Sequence, residues 1–209
     1  MKTKSILIIL AVILSQSVLA KVKLPAVLGD NMVLQQQTSV NLWGKASPSR
    51  QVKIITSWNK KKYVTQADAA GKWKIQVATP SAGGPFEITF DDGETTTLKN
   101  ILIGEVWFCS GQSNMEWGIN KNHYKKDVDA SADSLLRLFF VPRNTSLDPL
   151  SDIYMPEDTP NPEWAAKWVL CTPEALRKIN GQGFASAAYY FARDIRQAND
   201  RPLGIIQSA

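Results

Sequence analysis

The sequence predicts an α/β protein: an N-terminal all-β, sandwich-like unit followed by an incomplete α/β unit built on a parallel sheet. Three observations carry this. Up to about Leu98, short stretches alternate apolar with polar residues and are punctuated by turn formers. Near Asn100 that pattern gives way to longer apolar runs. Further on, Phe184, Ala187, Ala188, Phe191 and Ile195 recur at helical spacing and lead into the unalternating run Leu203-Gly204-Ile205-Ile206. Such a run is typical of a strand covered on both faces, and strand–helix–strand crossovers imply parallel pairing.

Met1 to Ala20 reads as a targeting segment. Lys2 and Lys4 form a positive start, Ile6 to Leu14 an apolar centre, and Val18-Leu19-Ala20 a small-residue cleavage site. The apolar run is short for a bilayer span, so the expectation is an extracytoplasmic protein, periplasmic or secreted, with no stable membrane insertion after cleavage. Removing the segment lowers the formal charge from +5 to +3, with 22 basic residues facing 19 acidic ones. That mild, scattered excess argues against a nucleic-acid partner.

The β-half, residues 21–100, places strands at Met32–Gln35, Val40–Trp43, Val52–Thr56, Tyr63–Thr65, Trp73–Val77 and Phe86–Phe90. Gly29-Asp30-Asn31, Ser47-Pro48-Ser49, Ala70-Gly71-Lys72, Gly83-Gly84-Pro85 and Asp91-Asp92-Gly93 supply the turns. Lys60-Lys61-Lys62 reads as a solvated hairpin tip. This half is expected to be an accessory unit beside a second unit at 101–209.

The second unit opens with Ile101 to Trp117. The β-branched and aromatic run Val106 to Cys109 predicts a buried strand that ends at Ser110-Gly111-Gln112-Ser113-Asn114. Ligands of open α/β sheets sit beyond the carboxyl ends of such strands. A serine held there beside a glycine and exposed backbone N–H groups is a candidate nucleophile. The same pattern also suits a polar turn without chemistry.

Gly104-Glu105-Val106-Trp107-Phe108-Cys109-Ser110-Gly111-Gln112-Ser113-Asn114-Met115-Glu116-Trp117 resembles the first signature block of the sialate O-acetylesterase family, carbohydrate esterases of the SGNH-hydrolase type. The resemblance implies a flavodoxin-like α/β fold and removal of acetyl groups from sugar hydroxyls, so an acetylated carbohydrate is the expected partner. It also implies Ser113 as nucleophile, with its backbone N–H as an oxyanion donor at the start of a following helix. Gln112 and Asn114 are expected to shape that loop. The family completes its site with a Gly-Gly loop, an Asn and an Asp-x-x-His beyond the strand that ends here at Gln207-Ser208. With Ala209 as the last residue, the chain is expected to be the N-terminal part of a longer esterase and to be inactive alone.

His123, the one histidine, lies in the polar loop Gly118 to Lys126 among Lys121, Lys125 and Lys126, and reads as a surface or substrate-contacting residue rather than a catalytic base. Asp127 to Asp133 suggests a short helix and Leu135 to Val141 a strand. Arg143 to Glu163 is a long proline-rich loop of the kind that walls a site. Trp164 and Trp168 either line a sugar subsite or anchor that loop. Cys109 and Cys171 either pair or stand as separate buried thiols. With one histidine and two distant cysteines, no metal site is expected, and without a Gly-rich phosphate loop no cofactor. The rival function is a noncatalytic carbohydrate-binding protein using the β-half and exposed tryptophans.

Overall fold

The structure, a computed structural model, describes residues 21–120 and 124–209. The expected leader at 1–20 and His123 lie outside them. Among the described residues no helix is long and apolar enough to cross a membrane.

The chain is a mixed α/β fold with one large mixed sheet and a separate two-stranded ribbon. In order come β1 (Val33–Gln35), β2 (Ser39–Lys45), β3 (Gln51–Thr56), β4 (Lys62–Gln66), β5 (Lys72–Ala78), β6 (Gly83–Asp91) and β7 (Thr95–Ser110). They are followed by α1 (Ser113–Glu116), α2 (Lys125–Asp129), β8 (Asp133–Phe140), β9 (Trp168–Cys171), α3 (Pro173–Lys178), α4 (Ser186–Asn199) and β10 (Leu203–Ser208). The large sheet runs β4-β3-β6-β7-β10-β8-β9, with β1 also paired to β7, while β2 and β5 form the ribbon.

The expected sandwich is visible in the first half. Leu42, Trp73 and Val77 from the ribbon share one buried core with Val52, Ile54, Ile88 and Phe90 from the large sheet. Alternation along β3 and β5 puts every second residue inside, as a half-buried strand requires.

β7 carries the chain from one half to the other. Its first part pairs antiparallel with β6, and its last part pairs parallel with β10. Within the β6-paired part Asn100 adopts φ 55, where the pairing slips register. Asparagine tolerates that left-handed geometry better than most residues, and its side-chain amide donates to Asn31 Oδ1 at 2.7 Å. The expected parallel sheet is realised by β7, β10 and β8, with β9 added antiparallel at the edge.

Two close approaches lock this junction. A Cβ on Gly104 would lie 2.0 Å from the Pro202 carbonyl oxygen, and one on Gly204 would lie 2.9 Å from Val33 Cβ and 3.0 Å from Trp168 Cζ3. A second core, with Leu136, Leu138, Phe184, Ala188 and Ile205, lies on the α4 side of the sheet.

One expectation is corrected. Val106–Cys109 is not a buried strand: Trp107 and Phe108 are exposed, because among the described residues this part of β7 is paired only on its β10 side. Of its two expected places, Trp168 takes the one in the core. It is buried, packs on Phe139 with ring centroids 5.3 Å apart, and donates Nε1–H to the Val27 carbonyl at 2.8 Å, which ties the two halves together.

Candidate active site

Strands β7, β10 and β8 end together. Gln207 stands opposite both Cys109 and Phe140, and Ser208 opposite Ser110. The Ser110–Asn114 loop therefore leaves the sheet at the carboxyl edge of its parallel part, the usual place for a ligand. Met115 N–H donates to the Gln112 carbonyl at 2.8 Å, and this turn starts α1 with Ser113 as its first residue. Ser113, Gln112 and Asn114 are all exposed.

Ser113 lines a cleft of about 360 Å³ together with Glu116, Phe140, Arg143, Asn180, Gln182 and Gln207. Gln207 is 1% exposed and makes two of the bonds that fix the cleft. Its Oε1 accepts from Ala185 N–H at 3.0 Å, ahead of α4, and its Nε2 donates to the Met115 carbonyl at 3.1 Å in α1. The Trp117 carbonyl accepts from both the N–H and the hydroxyl of Ser186, at 2.9 and 3.0 Å. Gly118 bridges to Ala185, and a Cβ there would sit 2.0 Å from the Gln182 carbonyl oxygen. The segment after Ser113 is thereby stapled to the start of α4.

The charged residues lining the cleft are Glu116 and Arg143, which form an ion pair. Among the described residues nothing hydrogen-bonds the Ser113 hydroxyl, and His123 is not among them. As a first-turn residue Ser113 has an N–H that the helix itself does not use. Because α1 is a single turn, any dipole contribution is small. Among the described residues no three His, Cys, Asp or Glu side chains come together as a metal site would need.

Both thiols are free. Cys171 is buried, donates to the Ser131 carbonyl at 3.2 Å, and burial pushes its pKa up to about 12. Burial also raises Cys109, which makes it a poorer nucleophile than an ordinary cysteine.

Of the residues expected from sequence, Gln112, Ser113 and Asn114 lie exposed just beyond the end of β7. Gln207, Gln182, Asn180 and Arg143 were not foreseen as neighbours of Ser113. One signal pointed to Gln207: a glutamine closing an otherwise apolar buried run needs polar partners.

No protein-family model matches the chain. It is 26% identical to the sialate O-acetylesterase of Mus musculus over 193 residues, covering 86% of this chain and 34% of the relative. The Homo sapiens sialate O-acetylesterase is 24% identical, with 87% and 36% covered. A solved structure of a carbohydrate acetylesterase from Xanthomonas citri superposes with a TM-score of 0.76 at 30% identity, covering 89% of this chain and 40% of that one. The chain spans about a third of the length of the curated relatives it matches. The kinship read from Gly104–Trp117 thus extends over most of the chain.

Proposed function

We propose that this chain, a relative of the sialate O-acetylesterases, carries the nucleophilic part of an extracytoplasmic serine esterase that removes O-acetyl groups from carbohydrates such as sialic acid or a plant polysaccharide. Residues 21–100 serve as an accessory unit and residues 101–209 as the esterase unit. The observation that carries the reading is Ser113 itself: an exposed serine, in the matched block, lining a cleft at the carboxyl edge of three parallel strands.

Ser113 Oγ attacks the acetyl carbonyl carbon while a base takes its proton. The resulting oxyanion is met by the Ser113 N–H. The sugar oxygen leaves with a proton, and water releases acetate from the acyl-enzyme. Gln207 keeps the loop in register, and Glu116 with Arg143 forms one wall. Among the described residues no base meets the Ser113 hydroxyl, and a serine without its base turns over several orders of magnitude more slowly than a complete site. The leader at Met1–Ala20 sends the protein out of the cytoplasm.

A serine-directed fluorophosphonate, applied to a form extended to the length of the relatives and mapped by peptide sequencing, tests this. Modification of Ser113, with loss of acetate release in Ser113→Ala, is the expected result. Labelling elsewhere with Ser113 untouched refutes the reading and leaves the carbohydrate-binding alternative.

A further inference from the structure

The outward face of the β2–β5 ribbon carries Asn41, Trp43, Lys45, Lys72 and Lys74. Trp43 stands directly opposite Lys74, and Lys45 opposite Lys72. Lys23 bridges to Lys45 on the other side, so Lys23, Lys45 and Lys72 lie in one row across three neighbouring segments. Like charges placed directly opposite one another on a sheet are destabilising. Among the described residues none of these four lysines forms an ion pair.

This face floors a groove of about 920 Å³, walled by Thr65 and Gln66 of β4 and by Ser151 and Asp152 of the proline-rich loop. Asp68 and Asp152 also line the groove but pair with none of these lysines, so four cations face two carboxylates there. Asp68 Oδ1 accepts from the Ala70 and Lys72 N–H groups, and Asp152 Oδ1 from those of Ala26 and Ile153. Trp43 remains 38% exposed. A second hollow of about 570 Å³ continues along the loop, sharing Trp43 and Asp152 with the groove and Arg143 with the Ser113 cleft.

We propose that this groove binds a carboxylated polysaccharide, a chain of uronic-acid residues, and leads it along the proline-rich loop toward Ser113. The indole face of Trp43 takes the apolar face of a pyranose ring. Asn41, Thr65 and Gln66 meet its hydroxyls, and the lysine row meets its carboxylates. Carboxylates between the lysines relieve a repulsion that the free protein carries. Binding stands on the groove alone. That the bound polymer is also the substrate rests on the esterase reading.

Titration calorimetry of the intact chain with oligogalacturonate, beside an uncharged galactan and a single-stranded oligonucleotide, tests it. The uronate binds, the neutral glycan binds at least tenfold more weakly, and Trp43→Ala and Lys45→Glu each weaken uronate binding at least tenfold. Ser113→Ala binds as the parent does, which separates this site from the esterase reading. Lys74→Gln, on the solvent face, serves if Trp43→Ala fails to fold, with the same expected loss. No uronate binding, uronate binding undiminished in the groove variants, or oligonucleotide binding of equal strength overturns the proposal.

Discussion

Ser113 and Gln207 are far apart in sequence, and the second decides what surrounds the first. Replacing Gln207 by Leu leaves the Ala185 N–H and the Met115 carbonyl without their partners. Each buried polar group left unpaired costs about 1–3 kcal/mol. Gln207→Leu should therefore lower the urea midpoint and, in an esterase of full length, reduce kcat more than it raises KM; an unchanged kcat would show that Gln207 only packs. The cysteines make a second prediction at this scale. With Cys171 buried and pushed up to about 12, and Cys109 raised as well, a thiol reagent at pH 8 should leave Cys171 unmodified in the native protein and reach both thiols after denaturation. Full native reaction at Cys171 would contradict its burial.

β7 shows how one element serves two architectures. Its β6-paired part buries Ile101 and Ile103, while its β10-paired end exposes Trp107 and Phe108. The glycines beside it allow backbone and side chains to meet where a methyl group would collide. Gly204→Ala must push against Val33 and Trp168, and overpacking of this kind costs about 1–3 kcal/mol. Gly104→Ala meets a backbone carbonyl, which cannot rotate away, so its loss of stability should be the larger. Chemical denaturation of the two variants checks the order; equal or negligible losses would refute it.

Across the whole molecule the two halves share side chains. Phe139 and Trp168, from the second half, complete the core of the first. Glu105 accepts from Gln35 Nε2 at 2.9 Å and Gln36 Nε2 at 2.6 Å, and these bonds hold its carboxyl below the usual range. For a depressed carboxyl, the added stability is present above the unfolded value, about 4.3, and is lost as pH falls through the folded one. Glu105→Gln should therefore be less stable than the parent at pH 7, with the gap closing as pH drops below about 4; a gap independent of pH would argue against the carboxylate. Residues 21–100 made alone lack Ile101, Ile103, Phe139 and Trp168 of their core, and should show weak near-ultraviolet dichroism and no cooperative melt.

The sequence by itself placed the alternating strands of the β-half, the helix that carries Ala187–Ile195, though not Phe184 ahead of it, the buried strand at Leu203–Ile206 and Ser113 at a strand end. Each of these is a local matter of side-chain period and turn chemistry. It could not place β10 between β7 and β8, lay Lys23, Lys45 and Lys72 in a row, bring Gln207 under the Ser113 loop, or reveal that Trp107 and Phe108 lie open. Those follow from which strands pair and in what register, and pairing is settled by contacts between residues distant in the chain, to which local periodicity is blind.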